Sequence, residues 1–354
     1  MTAQRKSKSS KFLTAPTRPV SVDRDRSITG LLEKMEGAGF GARQLAEAHR
    51  IWLDALGDNT TIYIAATGNL IPAGMRRLLA YVIKNRFVDV LVVSGEMLFH
   101  DLHETLGRNH YQAHAAMDDE ELDTANIVRM GDTLGNADEY READEWIGGF
   151  ANQLEPSRPY SVREFLHFLG KELAEIATED GLITSAYKAR IPIFCPDLGN
   201  SEICVGIAQG RFEKKNTVLF DLAQDSLEMM QIAQKSRSTC LISLGGVDGH
   251  SYIKLSDTSL NIIRAQPRGH KYAVTICSEP PCVVSPRPHG SLSEMTQFFG
   301  KTMKNALTAY VQCDATIALP IIVTSLSQTA AKYMKGRKRP TFTFVGRELL
   351  IEVS

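Results

Sequence analysis

Residues 61–95 read TIYIAATGNLIPAGMRRLLAYVIKNRFVDVLVVSG, and this stretch decides the fold. Thr61–Ala66 is a short apolar, β-branched run that ends in Thr67-Gly68-Asn69. Ala73–Asn85 carries apolar residues at helical spacing, and Val88–Val93 is a second buried-strand pattern ending in Ser94-Gly95. Strand, helix and strand in about thirty residues make a βαβ unit.

The same alternation continues outward. Helices are expected from Ser27 and over Ala42–Leu56, Ser161–Ala177, Leu222–Lys235, Tyr252–Arg264 and Ser293–Val311. Strands are expected at Ile191–Phe194, Thr217–Phe220, Thr239–Leu244, Tyr272–Ile276 and Ala315–Leu319. The pattern predicts an α/β protein: a single large, doubly wound, mostly parallel sheet with helices on both faces, Rossmann-like. Residues 1–20, basic and rich in Ser, Thr and Pro, read as a mobile tail, and residues 21–354 as one domain. The acidic run Asp118–Asp123 reads as a solvated loop or cap, and Lys335–Arg339 as a solvated turn before the strand-like TFTFV.

Composition narrows the function. Lys+Arg 40 against Asp+Glu 41 gives a net charge of -1, which argues against a nucleic-acid binder. No apolar run approaches the roughly 20 residues that span a bilayer, and the first residues lack a signal peptide's apolar stretch. Six cysteines without a CxxC pair read as reduced thiols. The expected location is the cytoplasm, with no membrane partner.

In such sheets ligands lie beyond the carboxyl ends of the strands. Thr67-Gly68-Asn69, Ser94-Gly95-Glu96, Gly199-Asn200-Ser201, Gly245-Gly246, Ser278-Glu279 and Asp314-Ala315 fall there. Glycine admits close backbone approach and helix N-termini offer free N–H groups, but neither G-x-G-x-x-G nor a Walker sequence occurs. Spacing alone leaves a nucleotide site and ordinary turns equally open. His100, His103, His110 and His114 cluster in sequence, but without a metal-site motif they point to structural partners, and no metal is expected. Cys277 and Cys282 with His289 carry no signature of a nucleophile pair. Lys301 lies among Met295, Phe298, Phe299 and Met303, where desolvation would favour a reactive amine, yet the spacing equally fits a solvated lysine.

A collinear series of segments resembles the deoxyhypusine synthase family, above all its archaeal and bacterial branch. The series comprises TRPVSVDRDRSITGLLEKM, the 67–95 stretch, LFHDLHETLG, RPYSVREFLHFLGKEL, IPIFCPDLGNS, LGGV and FFGKTMKNALTAYVQCDATIALP, over roughly residues 15–325. The resemblance implies NAD as cofactor and a homotetramer whose sites lie at dimer interfaces and draw on both chains. It implies that Lys301 forms an imine with an aminobutyl group taken from spermidine. Cofactor positions carry over as Thr67, Asn69, Ser94, Gly95, Asn200, Gly245, Gly246, Asp314 and Ala315. Substrate positions carry over as Asp101, His250, Glu294 and Phe299.

Departures from the family concern the substrate. Phe99 and His100 replace its paired glutamates, Ser251 its histidine, and PPCVVSPRPHGS its acidic polyamine loop. A buried ammonium needs a carboxylate or π-face partner, so these changes suit a different amine. The leading reading is an NAD-dependent aminobutyl or guanidinobutyl transferase acting through a lysine imine, with a polyamine or guanidino-amine substrate and a homospermidine-type product. The alternatives are a deoxyhypusine synthase acting on a lysine of the hypusine-containing translation factor, and a non-catalytic NAD-binding regulatory subunit.

Overall fold

The computed structural model describes residues 15–22, 25–114, 117–156, 158–245, 248–278 and 302–353. Helices α1 (Ile28–Met35) and α2 (Phe40–Gly57) precede β1 (Thr61–Ala66), a π-type turn at Ile71–Met75, α3 (Arg76–Lys84), β2 (Val90–Val93) and α4 (Gly95–Thr105). A small excursion follows, with β3 (Tyr111–Gln112), α5 (Asp119–Thr124), β4 (Ile127–Met130), β5 (Thr133–Asn136) and α6 (Ala137–Asn152). Then come β6 (Pro159–Tyr160), α7 (Val162–Ile176), α8 (Leu182–Ala189), β7 (Ile193–Phe194), α9 (Glu202–Phe212) and β8 (Leu219–Phe220). The chain continues through α10 (Leu222–Lys235), β9 (Thr239–Leu244), α11 (Asp248–Thr258) and β10 (His270–Cys277). It ends with β11 (Thr302–Gln312), α12 (Ala315–Tyr333), β12 (Pro340–Val345) and β13 (Glu348–Val353).

Six strands form one sheet in the order β11-β10-β9-β1-β2-β7, and every pair is parallel. Parallel strands must be covered on both faces, which is why β1 is buried at all six positions. Its alternate residues feed two cores. Ile62, Ile64 and Ala66 pack with Trp52 and Leu56 of α2, Leu79 of α3 and Ile322 of α12. Tyr63 and Ala65 pack with Met229 and Ile232 of α10, Ile253 of α11 and the β12–β13 hairpin. The expected architecture is present.

Two expectations fail together. The 302–311 part of the expected helix Ser293–Val311 is the strand β11, paired with β10 over Leu307–Gln312. The expected strand Ala315–Leu319 opens the helix α12. Asp314 caps that helix, its Oδ1 accepting from the Thr316 backbone N–H at 2.7 Å, and Ala315, Ala318, Leu319, Ile322, Val323, Leu326 and Ala330 form its buried stripe. The expected turn Lys335–Arg339 is not wholly solvated either. The Arg337 side chain is buried, donating to Asp89 Oδ2 at 2.5 Å and to the Thr60 carbonyl at 2.8 Å, because the Asp89 carboxylate is itself inside the fold. The acidic run forms the short helix α5, with Asp118 as its cap and no buried residue.

Candidate functional site

β1 is followed by β2 on one side, whereas β9 lies on its other side and leads away through β10 and β11. The winding direction therefore switches between β1 and β9, and chain leaving the two strand ends diverges to leave a crevice. A cleft of about 750 Å³ opens there. Its floor is Thr67, Gly68 and Asn69 after β1, Gly245 after β9 and Ser278 after β10, with Asp314 and Ala315 of α12 alongside.

Glycine is required at the point of closest approach. Gly245 has φ +88, and a Cβ there would collide with the carbonyl oxygen of Thr67. Its N–H donates to the Ile276 carbonyl at 3.0 Å, and Thr67 N–H donates to the Leu244 carbonyl at 3.2 Å, so the three strand ends are tied together. Gly68 also has positive φ, +83, but with open space around its missing Cβ. Asp314 is committed to the helix cap, accepting from both N–H and Oγ1 of Thr316.

A second tier lies at the ends of β2 and β7. Ser94 occupies the N-cap position of α4 without a side-chain bond to its backbone, and Gly95 N–H donates to Asp197 Oδ1 at 3.1 Å. A Cβ on Gly95 would lie 2.6 Å from that of Ser201, which locks this turn against the Asp197–Ser201 loop. Asn200 is exposed on that loop. Thus Thr67, Asn69, Gly245, Asp314 and Ala315 come together around the cleft, while Ser94, Gly95 and Asn200 sit beyond its lining.

Other expected positions fall elsewhere. Asp101 is fully buried away from the cleft lining. Its Oδ1 accepts from Arg76 Nε at 3.0 Å and Leu182 N–H at 2.8 Å, and its Oδ2 from Ile183 N–H at 2.8 Å. It is a cap for α8 and a partner for a buried guanidinium. His250 is also buried, within α11, and does not line the cleft. Gly246, Glu294, Phe299 and Lys301 lie outside the described residues, as do Cys282 and His289. Thr302, the residue after Lys301, pairs with His270 at the opposite edge of the sheet. Seven steps of β10 at about 3.3 Å each separate that edge from the cleft by about 23 Å.

The excursion between α4 and α6 supplies a wall that sequence reasoning missed. His110, Tyr111, Gln112, Asp132 and Thr133 line it. They belong to or border a three-stranded antiparallel sheet, β3-β5-β4, whose strands of two to four residues are too short to show a period. The histidine run divides here. His114 is exposed, whereas His100, His103 and His110 pack together with Tyr140. Burial first, and then the neighbouring imidazoles, pushes His100 down to about 3; burial, then His110, pushes His103 down to about 4. Among the described residues no group of side chains has the arrangement of a metal site, and no helix is long and apolar enough to cross a membrane.

The donor set suits a dinucleotide. Backbone at Gly245 runs too close to Thr67 for any side chain, Gly68 leaves its face open, and the N-terminus of α12 lies beside the cleft. Thr67, Asn69, Gly245 and Asp314–Ala315 would hold it.

Fold and cleft together define an α/β protein with a cleft at a topological switch point of its parallel sheet. A family model for deoxyhypusine synthase matches residues 30–326, so the chain belongs to the deoxyhypusine synthase family. It is 36% identical over 346 residues to "Probable deoxyhypusine synthase 2" of Methanosarcina mazei, covering 95% of this chain and 96% of the relative. It is 29% identical to a "Deoxyhypusine synthase-like protein" of Elusimicrobium minutum, covering 90% of this chain and 85% of that one. The crystal structure of a "putative deoxyhypusine synthase" from Entamoeba histolytica shares the fold, with a TM-score of 0.60 at 17% identity over 88% of this chain and 97% of that chain.

Proposed function

We propose that the protein is a cytoplasmic, NAD-dependent aminoalkyl transferase that moves an aminobutyl or guanidinobutyl group from one amine to another small amine. The observation that carries this reading is the cleft itself: family membership joined to a switch-point site whose closest approach, Gly245 against Thr67, admits backbone alone. NAD, when bound, supplies the acceptor for a hydride from the carbon beside the donor nitrogen. Thr67, Asn69 and the N-terminus of α12 would hold it.

Lys301 is the nucleophile of this reading, its amine taking the aminoalkyl group as an imine and yielding it to the acceptor. Thr302 lies at the end of the sheet opposite the cleft, and this reading takes each site to be completed by a second copy of the chain. Phe99 and His100, at the positions of the family's paired glutamates, are buried outside the cleft lining and offer no carboxylate to an amine. A donor or acceptor of fewer charges than spermidine fits that change.

The test is covalent trapping. The purified protein is incubated with NAD and, separately, spermidine, putrescine and agmatine, then reduced with borohydride and weighed intact. An adduct on Lys301, absent in Lys301→Arg, is expected, and its mass names the transferred group. A protein that binds NAD yet forms no adduct with any amine overturns the reading in favour of a non-catalytic subunit.

A further inference from the structure

Four side chains run in file behind the cleft wall. Glu104 Oε1 is 2.8 Å from His110 Nδ1, His110 Nε2 is 3.1 Å from His100 Nδ1, and His100 Nε2 is 4.0 Å from Glu96 Oε1. His110 lines the cleft, and Glu96 is half exposed in the first turn of α4, next to Ser94 and Gly95. Chemistry fixes the direction of the file. An ionised carboxylate only accepts, so His110 carries its proton on Nδ1 and presents a lone pair at Nε2. His100 then donates from Nδ1 and turns the lone pair of Nε2 toward Glu96.

The geometry points to Glu96–His100–His110–Glu104 as a proton relay from the end of β2, beyond the cleft lining, to His110 of the cleft wall, which holds the proton given up by a donor amine lying at that strand end and returns it to the departing amine. This inference rests on the transferase reading. Hydride leaves the carbon beside a nitrogen only when that nitrogen has a lone pair, so a substrate ammonium first loses one N–H proton. Later the departing amine takes up one proton. The two are equal in number, so a site that stores one proton between the stages balances the reaction.

Storage proceeds by one bond at a time. The substrate N–H bond breaks as an O–H bond forms on Glu96, across a 4.0 Å gap to His100 that rotation of this half-exposed side chain closes. That proton passes to His100 Nε2 while the proton on His100 Nδ1 passes to His110 Nε2. His110 becomes imidazolium with its Nδ1–H on the Glu104 carboxylate. Reversal delivers the proton to the departing amine.

The surroundings select His110 as the holder. From α4 it faces Glu104, His100 and His103, and from α6 it faces Tyr140, with the ring centroids of His103 and Tyr140 at 5.0 and 6.3 Å. Glu139 of α6 lies 3.7 Å from His103, Arg76 lies 3.8 Å from Glu104, and Arg108 is turned to Glu142. Burial keeps His100 and His103 neutral, and Glu104 is the carboxylate in hydrogen-bond contact with an imidazole of the cluster. His103 is fully buried and held among the rings of His110 and Tyr140, so it backs the relay as a packed wall.

Two readouts test the relay on the full-length protein. In His110→Gln, which keeps donor and acceptor but holds no proton, amine-dependent NADH formation should fall about 100-fold and lose its pH dependence. NAD should still bind. Glu104→Gln, which leaves all three rings packed, should lower the rate about tenfold and serves if the first variant folds poorly. Independently of turnover, NMR of the histidine ring carbons should show His100 and His110 moving together in one step of proton uptake, abolished at His100 in His110→Gln. Rates and pH profiles within twofold of wild type, or ring signals that titrate separately or not at all, overturn the relay. NADH formation without a coupled titration overturns the relay alone. A coupled titration in a protein that reduces no NAD with any amine overturns the transferase reading and leaves the proton-holding file standing.

Discussion

Gly245 and Asp101 show how differently single residues read. Gly245, φ +88 and hard against Thr67, is a position where only glycine fits, and a glycine pair ending an apolar run already marks it in the sequence. Gly245→Ala should destabilise the fold by about 1–3 kcal/mol and weaken NAD binding, read by urea unfolding and by fluorescence titration. Asp101 looks like a substrate carboxylate in the sequence and is a structural one in the fold. Its partners, Arg76 and the α8 N-terminus, lie 25 and more than 80 residues away, so no local pattern reveals them. Asp101→Asn leaves the Arg76 guanidinium, 5% exposed, with only Glu104 at 3.8 Å as a carboxylate partner and should cost roughly 2 kcal/mol. A substrate role would instead raise the KM for the amine at unchanged stability. Arg337 escaped notice for the same reason: a basic run reads as solvated until the buried carboxylate it meets, Asp89, is placed.

At the scale of elements, the strand ends that border the cleft were legible because runs of six β-branched and apolar residues stop at Thr67 and Gly245, while the switch point depends on the strand order, which no local pattern carries. The segment 302–320 was not legible. Met303, Lys304, Ala306 and Leu307 favour a helix by propensity, but Leu307–Gln312 lies parallel on β10 and sheet pairing overrides that preference. Conversely Thr316, Ile317 and Ile321, with Pro320 among them, look extended, and the three- and four-residue spacing of the buried positions in α12 decides for helix. Asp314 was the available signal, an acceptor placed one residue before that periodic run. Asp314→Ala should lower stability by about 1 kcal/mol in urea unfolding through loss of the two Thr316 contacts. If Asp314 also faces the cofactor, NAD affinity should fall by more than this loss of cap explains.

For the molecule as a whole, burying both faces of the sheet has an acid-side consequence. His49, His103, His167 and His270 are pushed down to about 4, and His100 to about 3, in each case first by burial. The unfolded chain binds protons on these rings near pH 6.5, while the folded chain does not until about pH 4. Between those values the unfolded state holds more protons, so the stability present above pH 6.5 is lost as pH falls through this window. For the fully buried His270 the loss is roughly 3 kcal/mol when complete. Asp144 and Asp225 act in the other direction. Burial raises both carboxyls to about 6, so they protonate first in the folded chain and add stability as pH falls from about 6 toward the unfolded value of 3.8. Burial raises Glu96 and Asp101 as well, so five imidazoles stand against four carboxyls and leave a net loss. The urea midpoint should therefore fall steadily from pH 7 to pH 4.5, and His270→Gln should flatten the slope if the variant folds. A midpoint that is constant or rises over that range would show that the imidazoles are hydrated in solution, and the packed wall behind the cleft would then be open to water.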